Sequence, residues 1–134
     1  MTTAALAWHD GQWGDSHSLH LPLSDRGLQL ADWLFETVLI LNGKAQLLHA
    51  HLQRWHHSAR LLGMATPPSL ASLERLIDEA IDRASLTSGS TSGALRLNWS
   101  RGSVAGRGIG LPTEQTDAQQ HRFWFTLQPH QLSF

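Results

Sequence analysis

A tight turn at Asn42-Gly43 is the feature that most constrains how this chain can fold. It separates a run of branched apolar residues, 35–41, from a second apolar run, 45–48. Asn-Gly between two such runs is typical of a type I′ hairpin turn, in which both central residues take a positive φ. The pattern therefore predicts two antiparallel strands joined by a two-residue loop.

Two amphipathic helices are predicted to follow this hairpin. Residues 49–62 repeat apolar side chains at helical spacing, and Gly63 is a natural terminator. Pro67-Pro68 then interrupts the chain, and Ser69 is placed to cap a second helix. One face of that second helix carries a continuous apolar stripe of Leu70, Leu73, Ile77, Ala80, Ile81 and Ala84.

Further strands complete the predicted architecture. Asp10-Gly11 predicts a small N-terminal hairpin, and a short helical turn is expected over residues 28–33. Alternating apolar residues predict three more strands, over residues 17–23, 94–101 and 122–128. The sum is an α+β fold, a two-layer domain in which a mostly antiparallel sheet has helices packed on one face.

Composition limits the number of domains and the class of partner. With 134 residues and a net charge of −1, residues 1–134 are expected to form a single domain without the basic patch that nucleic acid requires. No cysteine is present, which excludes disulfides and thiolate sites. Neither a signal peptide pattern nor the roughly 20 apolar residues of a membrane span is found, so a soluble cytoplasmic protein is expected.

Six tryptophans are an unusual number for a chain of this length. Tryptophan is enriched both in cores and at interfaces, because it combines a large apolar ring with one polar group. Two alternatives follow. The rings fill the core, or some of them cover a face that another domain or subunit contacts.

Four short landmarks occur in a fixed order between Ser24 and Met64, and a fifth follows them. The first four are Asp25-Arg26-Gly27, Phe35-Glu36-Thr37, Asn42-Gly43-Lys44 and His51-Leu52-Gln53-Arg54. The fifth is the sequence RLNWSRG over residues 96–102, with Arg107-Gly108 beyond it. Their order and spacing resemble the N-terminal half of a class IV aminotransferase, a pyridoxal-phosphate (PLP) enzyme of fold type IV.

That family includes branched-chain aminotransferases, D-amino-acid aminotransferases and aminodeoxychorismate lyases. The resemblance implies PLP as cofactor, an amino acid or aminodeoxychorismate as substrate, and a homodimer. The lysine that forms the Schiff base is expected in a C-terminal domain that is absent from these residues, so the chain alone is expected to be inactive. The alternative is a stand-alone or degenerate domain that acts by binding.

Arg54 is expected to bind the phosphate of the cofactor. It matches the arginine of the family's H-L-x-R-L motif, with Trp55 in place of the last leucine, and the resemblance implies a structural role for His51. Arg54 also lies near the start of a predicted helix, where free backbone N–H groups favour anions. The alternative is a surface arginine on an amphipathic helix.

The resemblance implies that two more residues act at the substrate. Phe35 matches an aromatic residue of the substrate pocket, the alternative being an ordinary core phenylalanine. Arg107 matches an arginine that holds a substrate carboxylate, the alternative being a solvated loop residue. D-amino-acid aminotransferases carry a histidine two residues later, where this chain has Ile109. The pattern therefore favours the lyase-like branch.

Two departures from the family pattern concern the backbone and the lysine. Ala31-Asp32-Trp33 stands where the family has Gly-Asp-Gly, and tryptophan does not readily adopt the positive φ that glycine permits. Lys44 is the only lysine. Its position after the Asn-Gly turn predicts an exposed hairpin tip and not a catalytic base, which would need burial beside the cofactor.

A histidine cluster raises a third alternative, a metal site. The cluster consists of His49, His51, His56 and His57. Imidazole is a common metal ligand, but no carboxylate or cysteine completes a set at known spacing. No bound metal is therefore expected.

Overall fold

The computed structural model describes residues 4–87, 91–103 and 120–130. These residues form six strands, β1 (Leu6–His9), β2 (Gln12–Asp15), β3 (Trp33–Leu41), β4 (Lys44–Ala45), β5 (Ser92–Ser100) and β6 (Arg122–His130). They also form three helices, α1 (Arg26–Leu30), α2 (Leu48–Leu61) and α3 (Leu70–Arg83). All strand pairs are antiparallel, in the order β2-β1-β6-β5-β3-β4, which confirms the predicted α+β class.

Both predicted amphipathic helices are confirmed. α2 starts and ends one residue earlier than predicted, and Gly63 follows it with a φ of 66°. α3 begins after Ser69, whose hydroxyl oxygen accepts a hydrogen bond from the backbone N–H of Ser72 at 3.3 Å, as an N-cap residue does. None of the described helices has the length and hydrophobicity that crossing a lipid bilayer requires.

Both predicted hairpin turns are confirmed by the backbone. Asn42 and Gly43 have φ angles of 53° and 77°, and Asp10 and Gly11 have φ angles of 51° and 79°. Positive φ at both central residues is the requirement of a type I′ turn. β4 is only two residues long, shorter than predicted, because Leu47 takes a left-handed conformation and the chain enters α2 directly.

The predicted strand over residues 17–23 is wrong, because local side-chain bonds favour a turn there. The carboxylate of Asp15 accepts a hydrogen bond from the backbone N–H of His17 at 2.8 Å. The backbone N–H of Asp15 donates to Ser18 Oγ at 3.0 Å. Such short-range bonds compete with a strand ladder, and Pro22 has no N–H to donate to one.

The core lies between the two long helices and one face of the sheet. Alternate residues of the central strands point toward the helices, and six of them are fully buried, namely Val38, Ile40, Leu95, Leu97, Phe125 and Leu127. They belong to the same cluster as the buried faces of α2 and α3, which include Leu52, Trp55, Ala59, Leu73 and Ile77. Packing of both helices on one face of the sheet is therefore confirmed.

The six tryptophans divide between the two faces of the sheet. Two are half-buried on the face opposite the helices, Trp33 in β3 and Trp124 in β6. The other four lie in the core layer or pack against it, namely Trp8, Trp13, Trp55 and Trp99. Core packing thus explains the larger share of them.

Backbone strain lies at Ala31 and not at Trp33. α1 begins two residues earlier than the predicted helical turn, because the carboxylate of Asp25 accepts a hydrogen bond from the N–H of Gly27 at 2.9 Å and caps it. Ala31 then ends α1 in the left-handed region, with φ 54° and ψ 31°, and Trp33 starts β3. Trp33 lies in extended strand without a positive φ, so tryptophan in place of the family's glycine is accommodated here.

Ala31→Gly is expected to stabilise the chain by about 1 kcal/mol. The left-handed region costs an L-residue roughly this much relative to glycine, and the methyl group of Ala31 is exposed, so no packing is lost. Urea unfolding followed by tryptophan fluorescence measures the change. Ala50→Gly is the matched control, because Ala50 is an exposed residue inside α2. There glycine should destabilise by about 1 kcal/mol. Equal changes in the free energy of unfolding at both positions would contradict the assignment of backbone strain to Ala31.

Candidate functional site

A buried carboxylate on β3 organises the candidate site. Glu36 points to the helix layer together with Val38 and Ile40, and its side chain is 9% exposed. An ionised carboxylate in such a place is stable only when other groups pair with it. α2 packs directly over β3 and supplies those groups.

Arg54 and His51 are the partners of Glu36. Arg54 Nη2 donates to Glu36 Oε1 at 2.6 Å, and Arg54 Nε donates to Oε2 at 3.0 Å. His51 Nδ1 donates to Oε1 at 2.7 Å. The two donors are three residues apart on α2, so they project from the same face of the helix. The guanidinium–carboxylate contact is bidentate, so it fixes the orientation of the Arg54 guanidinium as well as the position of its charge.

The electrostatics of this group favour the ionised pair. Burial opposes ionisation of Glu36, but the hydrogen bonds and positive charges of Arg54 and His51 outweigh it and hold the pKa of the carboxyl below its usual range. The hydrogen bond and charge of Glu36 in turn raise the pKa of the Arg54 guanidinium. Arg54 therefore carries a permanent positive charge at a fixed position.

Arg54 combines this anchoring with access to solvent. Its side chain is 66% exposed, and no described residue accepts a hydrogen bond from its Nη1. It is the seventh residue of α2, about 9 Å along the helix axis from Leu48. Its placement thus depends on Glu36 more than on the first turn of the helix, and its outward N–H groups can receive an anion.

Phe35 lies on the opposite face of the sheet, beside the same stretch of β3. Its side chain is 47% exposed, so the alternative of an ordinary core phenylalanine is wrong. The Arg96 guanidinium lies 3.9 Å from the centre of its ring, and the ring of Trp33 lies 5.9 Å away. Cation–π contact of this kind orients both groups.

The edge of β3 connects the two halves of the site. β4 pairs only with Ile40 and Leu41, so along residues 33–37 β3 has β5 on one side and no described strand on the other. Arg54 flanks this edge from the helix face, and Phe35 flanks it from the other face. Arg54 and Phe35 therefore belong to the same stretch of β3 but lie on opposite faces of the sheet.

Two other residues singled out from the sequence lie apart from this edge. Arg107 lies outside the described residues. Lys44 is exposed on β4, paired with Leu41. Leu41 lies five residues along β3 from Glu36, which is roughly 16 Å of extended strand. Lys44 therefore does not belong to the Glu36–Arg54 group.

The histidine cluster is dispersed by the helix. His51 bonds Glu36, and His56 Nε2 donates to the carbonyl oxygen of Pro68 at 2.9 Å. Among residues 4–87, 91–103 and 120–130, no three histidine, aspartate or glutamate side chains lie close enough to hold a metal ion. The metal alternative gains no support from the described part of the chain.

Sequence reasoning missed two residues of the site, Glu36 and Arg96. Glu36 breaks the apolar alternation of β3 at an inward position, and a buried acid within an apolar strand is a signal that could have been used. Arg96 alternates with the buried Leu95 and Leu97, which places it on the same face as Phe35. Its stacking on that ring depends on strand register, which the local sequence does not specify.

Comparison with known sequences identifies related enzymes. The family model described as amino-transferase class IV matches residues 33–133. A bifunctional aminodeoxychorismate lyase / D-amino acid transaminase of Mycobacterium tuberculosis is 43% identical over 75 residues, covering 56% of this chain and 25% of that protein. A D-alanine aminotransferase of Listeria innocua is 30% identical over 67 residues, covering 50% of this chain and 23% of that protein.

Solved structures share the fold over most of this chain. A hypothetical aminotransferase from Mycobacterium tuberculosis, in a PLP-bound form, has a TM-score of 0.73 at 29% identity and covers 93% of this chain and 39% of that chain. The branched-chain amino acid aminotransferase of Escherichia coli has a TM-score of 0.75 at 19% identity, covering 96% of this chain and 40% of that chain. This chain thus spans only a minority of the length of each relative.

Glu36→Gln is expected to lower the free energy of unfolding by about 1–2 kcal/mol. The change keeps the shape of the side chain but weakens its charge-assisted bonds with Arg54 and His51. Urea unfolding at pH 7 measures the loss. Glu79→Gln is the matched control, because Glu79 pairs with Arg83 in an exposed helix pair that should contribute only about 0.5 kcal/mol. Equal losses in the two variants would contradict the anchoring role of Glu36.

The contribution of Glu36 is expected to disappear in acid. Because the pKa of this carboxyl is lower in the folded chain than in the unfolded chain, its contribution is complete above the unfolded value of about 4.3 and is lost as the pH falls through the folded value. The stability difference between wild type and Glu36→Gln should stay constant from neutral pH to about pH 5 and then shrink. A difference that grows on acidification would show that the ionised form is not the stabilising one.

Proposed function

The chain belongs to the class IV aminotransferase family, and we propose that it is the N-terminal part of a PLP-dependent enzyme of that family. In this proposal the enzyme is aminodeoxychorismate lyase-like or an amino-acid aminotransferase, and the chain contributes the phosphate-binding arginine and part of the substrate pocket. The observation that carries the proposal is the exposed guanidinium of Arg54, held in place by the buried carboxylate of Glu36.

The chemistry of Arg54 fits a phosphate group. Glu36 occupies Nε and one N–H of Nη2, which leaves Nη1 and the outward N–H groups for phosphate oxygens. Guanidinium binds phosphate with two parallel hydrogen bonds, and a guanidinium already fixed by a carboxylate loses little side-chain entropy on binding. PLP, when bound, supplies the electron sink that stabilises a carbanion. Orientation of its phosphate is the part that Arg54 would provide.

Phe35 and Arg107 would act on the substrate side. Phe35 offers an exposed aromatic surface on β3, and the Arg96 guanidinium stacks on its ring. Arg107 would hold a substrate carboxylate, as the sequence resemblance implies. We assign no catalytic role to Lys44, and the lysine that holds the cofactor would come from outside residues 1–134. A homodimer is part of the same proposal.

The lyase and aminotransferase branches differ in their products. The 43% identical relative is described as both a lyase and a D-amino acid transaminase, which supports testing the two activities together. The test uses the longer protein that includes the lysine-bearing domain, with PLP added, and release of 4-aminobenzoate and pyruvate from aminodeoxychorismate would identify the lyase. Transfer of an amino group from an amino acid to a 2-oxo acid would identify the aminotransferase. Binding of PLP by that longer protein with neither activity would support the alternative of a non-catalytic domain.

Arg54→Gln is expected to weaken the binding of pyridoxal 5′-phosphate about ten-fold or more, because charge-assisted hydrogen bonds to the phosphate are lost. Binding of pyridoxal, which lacks the phosphate, should not change. Isothermal titration of both compounds measures the two affinities. Arg60→Gln is the control, since Arg60 is exposed on the same helix. Unchanged affinity for pyridoxal 5′-phosphate in Arg54→Gln would remove Arg54 from the phosphate site.

Lys44→Arg is expected to change PLP affinity by no more than about two-fold, as is usual for an exposed substitution away from a site. The measurement is the same titration. Borohydride reduction of the PLP-treated chain, followed by peptide mapping, gives a second readout. A stoichiometric pyridoxyl group on Lys44 would contradict the assignment of the lysine to another segment.

A further inference from the structure

Asn98 is a buried polar residue on the face of the sheet opposite the described helices. It shares this face with Arg96, two residues earlier on β5, yet it is only 4% exposed. In the sheet it lies between two aromatic residues, Phe35 on β3 and Trp124 on β6. A buried amide costs free energy unless its oxygen and its N–H groups are hydrogen-bonded, so its partners show what it does there.

The amide of Asn98 forms hydrogen bonds at both of its ends. Its Oδ1 accepts from Trp33 Nε1 at 3.3 Å and from Arg96 Nε at 3.4 Å. Its Nδ2 donates to the carbonyl oxygen of Arg96 at 3.3 Å and to that of Trp124 at 3.4 Å. Two donors face one end and two acceptors face the other, so only one orientation of the amide satisfies all four partners.

The oxygen end of this amide orients two groups that contact Phe35. The Arg96 guanidinium, which donates to Oδ1 through Nε, lies 3.9 Å from the centre of the Phe35 ring. The Trp33 ring, which donates to Oδ1 through its indole N–H, lies 5.9 Å from the Phe35 ring and is stacked at an interplanar angle of 28°. One oxygen atom thus orients a cation on the Phe35 ring and an aromatic ring beside it.

We propose that Asn98 is a positioning residue, which holds Arg96 and Trp33 against Phe35 and thereby presents the Phe35 ring in one orientation. The Phe35 side chain has no polar group of its own and is half-exposed, so its orientation depends on these two neighbours. A ring that is already held in place loses less conformational freedom when a ligand packs on it. The inference rests on the proposed function only for the contact between Phe35 and a substrate.

The nitrogen end of the amide distinguishes positioning from simple bonding between strands. Nδ2 donates to backbone carbonyl oxygens, one on its own strand and one on β6. Asn98→Asp keeps an acceptor for Trp33 and Arg96 but removes the donor, whereas Asn98→Ala removes both ends. Positioning of Trp33 and Arg96 should therefore survive in Asn98→Asp, while an effect that depends only on joining β5 to β6 should be lost in both variants.

Hydrogen exchange of the Trp33 indole N–H, followed by NMR at pH 6 on residues 1–134, tests the positioning directly. Exchange should be about five-fold faster than wild type in Asn98→Ala, as the loss of a neutral hydrogen bond allows. In Asn98→Asp it should stay within about two-fold of wild type. The buried indole N–H of Trp55, which donates to the carbonyl oxygen of Leu34 at 3.2 Å, is the internal reference and should also stay within about two-fold.

Three results of this measurement would overturn the inference. The first is an unchanged exchange rate at Trp33 in Asn98→Ala. The second is equal acceleration at Trp33 and Trp55, since the effect would then be a global loss of stability. The third is acceleration at Trp33 in Asn98→Asp as large as in Asn98→Ala. If Asn98→Ala does not fold, Asn98→Asp decides alone, because loss of Trp33 protection in that variant contradicts positioning by the oxygen end.

Ser92→Ala is the matched control variant. Ser92 is another buried polar residue of β5, and its hydroxyl group donates to the carbonyl oxygen of His130 on β6. This bond joins the same two strands but does not reach Trp33 or Arg96. Exchange at Trp33 should therefore stay within about two-fold of wild type. Acceleration equal to that in Asn98→Ala would show that any buried polar residue of β5 has the same effect, and the inference would fail.

Steady-state kinetics of the longer protein that includes the lysine-bearing domain test the link to the substrate. Asn98→Ala should raise KM for the substrate about five-fold and leave kcat and PLP affinity within about two-fold, because the Phe35 contact is made equally in the ground and transition states. An unchanged KM would contradict a role for Asn98 on the substrate side. Absence of both activities in the wild type would remove the proposed function, and the Trp33 exchange rates would still support or overturn positioning by Asn98.

Discussion

The ion pair between a buried carboxylate on β3 and a helix residue is the interaction on which the rest of the structure depends. Glu36 occupies a position where the alternation of β3 would place an apolar side chain. Its charge can stay there only because α2 brings Arg54 and His51 to it. The rotation of α2 that brings these two side chains to Glu36 also directs Leu52 and Trp55 into the core. Packing and site geometry therefore share one orientation of α2.

The groups of the candidate site lie on both faces of the sheet and along one of its edges. Among the described residues, the core fills the helix face, and Arg54 is the exposed side chain that this face adds to the candidate site. The opposite face presents Phe35 with Arg96 stacked on it. Between them the backbone of β3 lies along the edge beyond the short β4. In the proposed function these groups would bind and orient a ligand, whereas the single lysine lies too far along the strand to take part.

Much of the fold was predictable because its signals are local. Asn42-Gly43 specifies a turn through two adjacent φ angles, and Ser69 caps a helix through a residue three positions away. The error over residues 17–23 has a local cause too, since Asp15 offers the backbone bonds that compete with a strand. Contacts between residues that are distant in the sequence were not predictable in this way. Glu36 and Arg54 are eighteen residues apart, and Asp25 and Arg122 are ninety-seven apart. No rule of helix or strand spacing links residues at such separations.

Along residues 33–37 the described part of the chain places no strand beside the outer edge of β3, which has a consequence for handling the protein. A strand with an unoccupied side is a template for another strand, and natural proteins usually block such edges with charge, proline or a covering segment. Residues 33–37 carry two aromatic rings and no proline, and their one charged side chain, Glu36, is paired with Arg54 on the helix face. At high concentration we therefore expect the chain to associate edge to edge, with a cross-strand hydrogen-bond ladder between copies. A ligand that occupies the edge would act as an anti-aggregation agent as well as a substrate or cofactor.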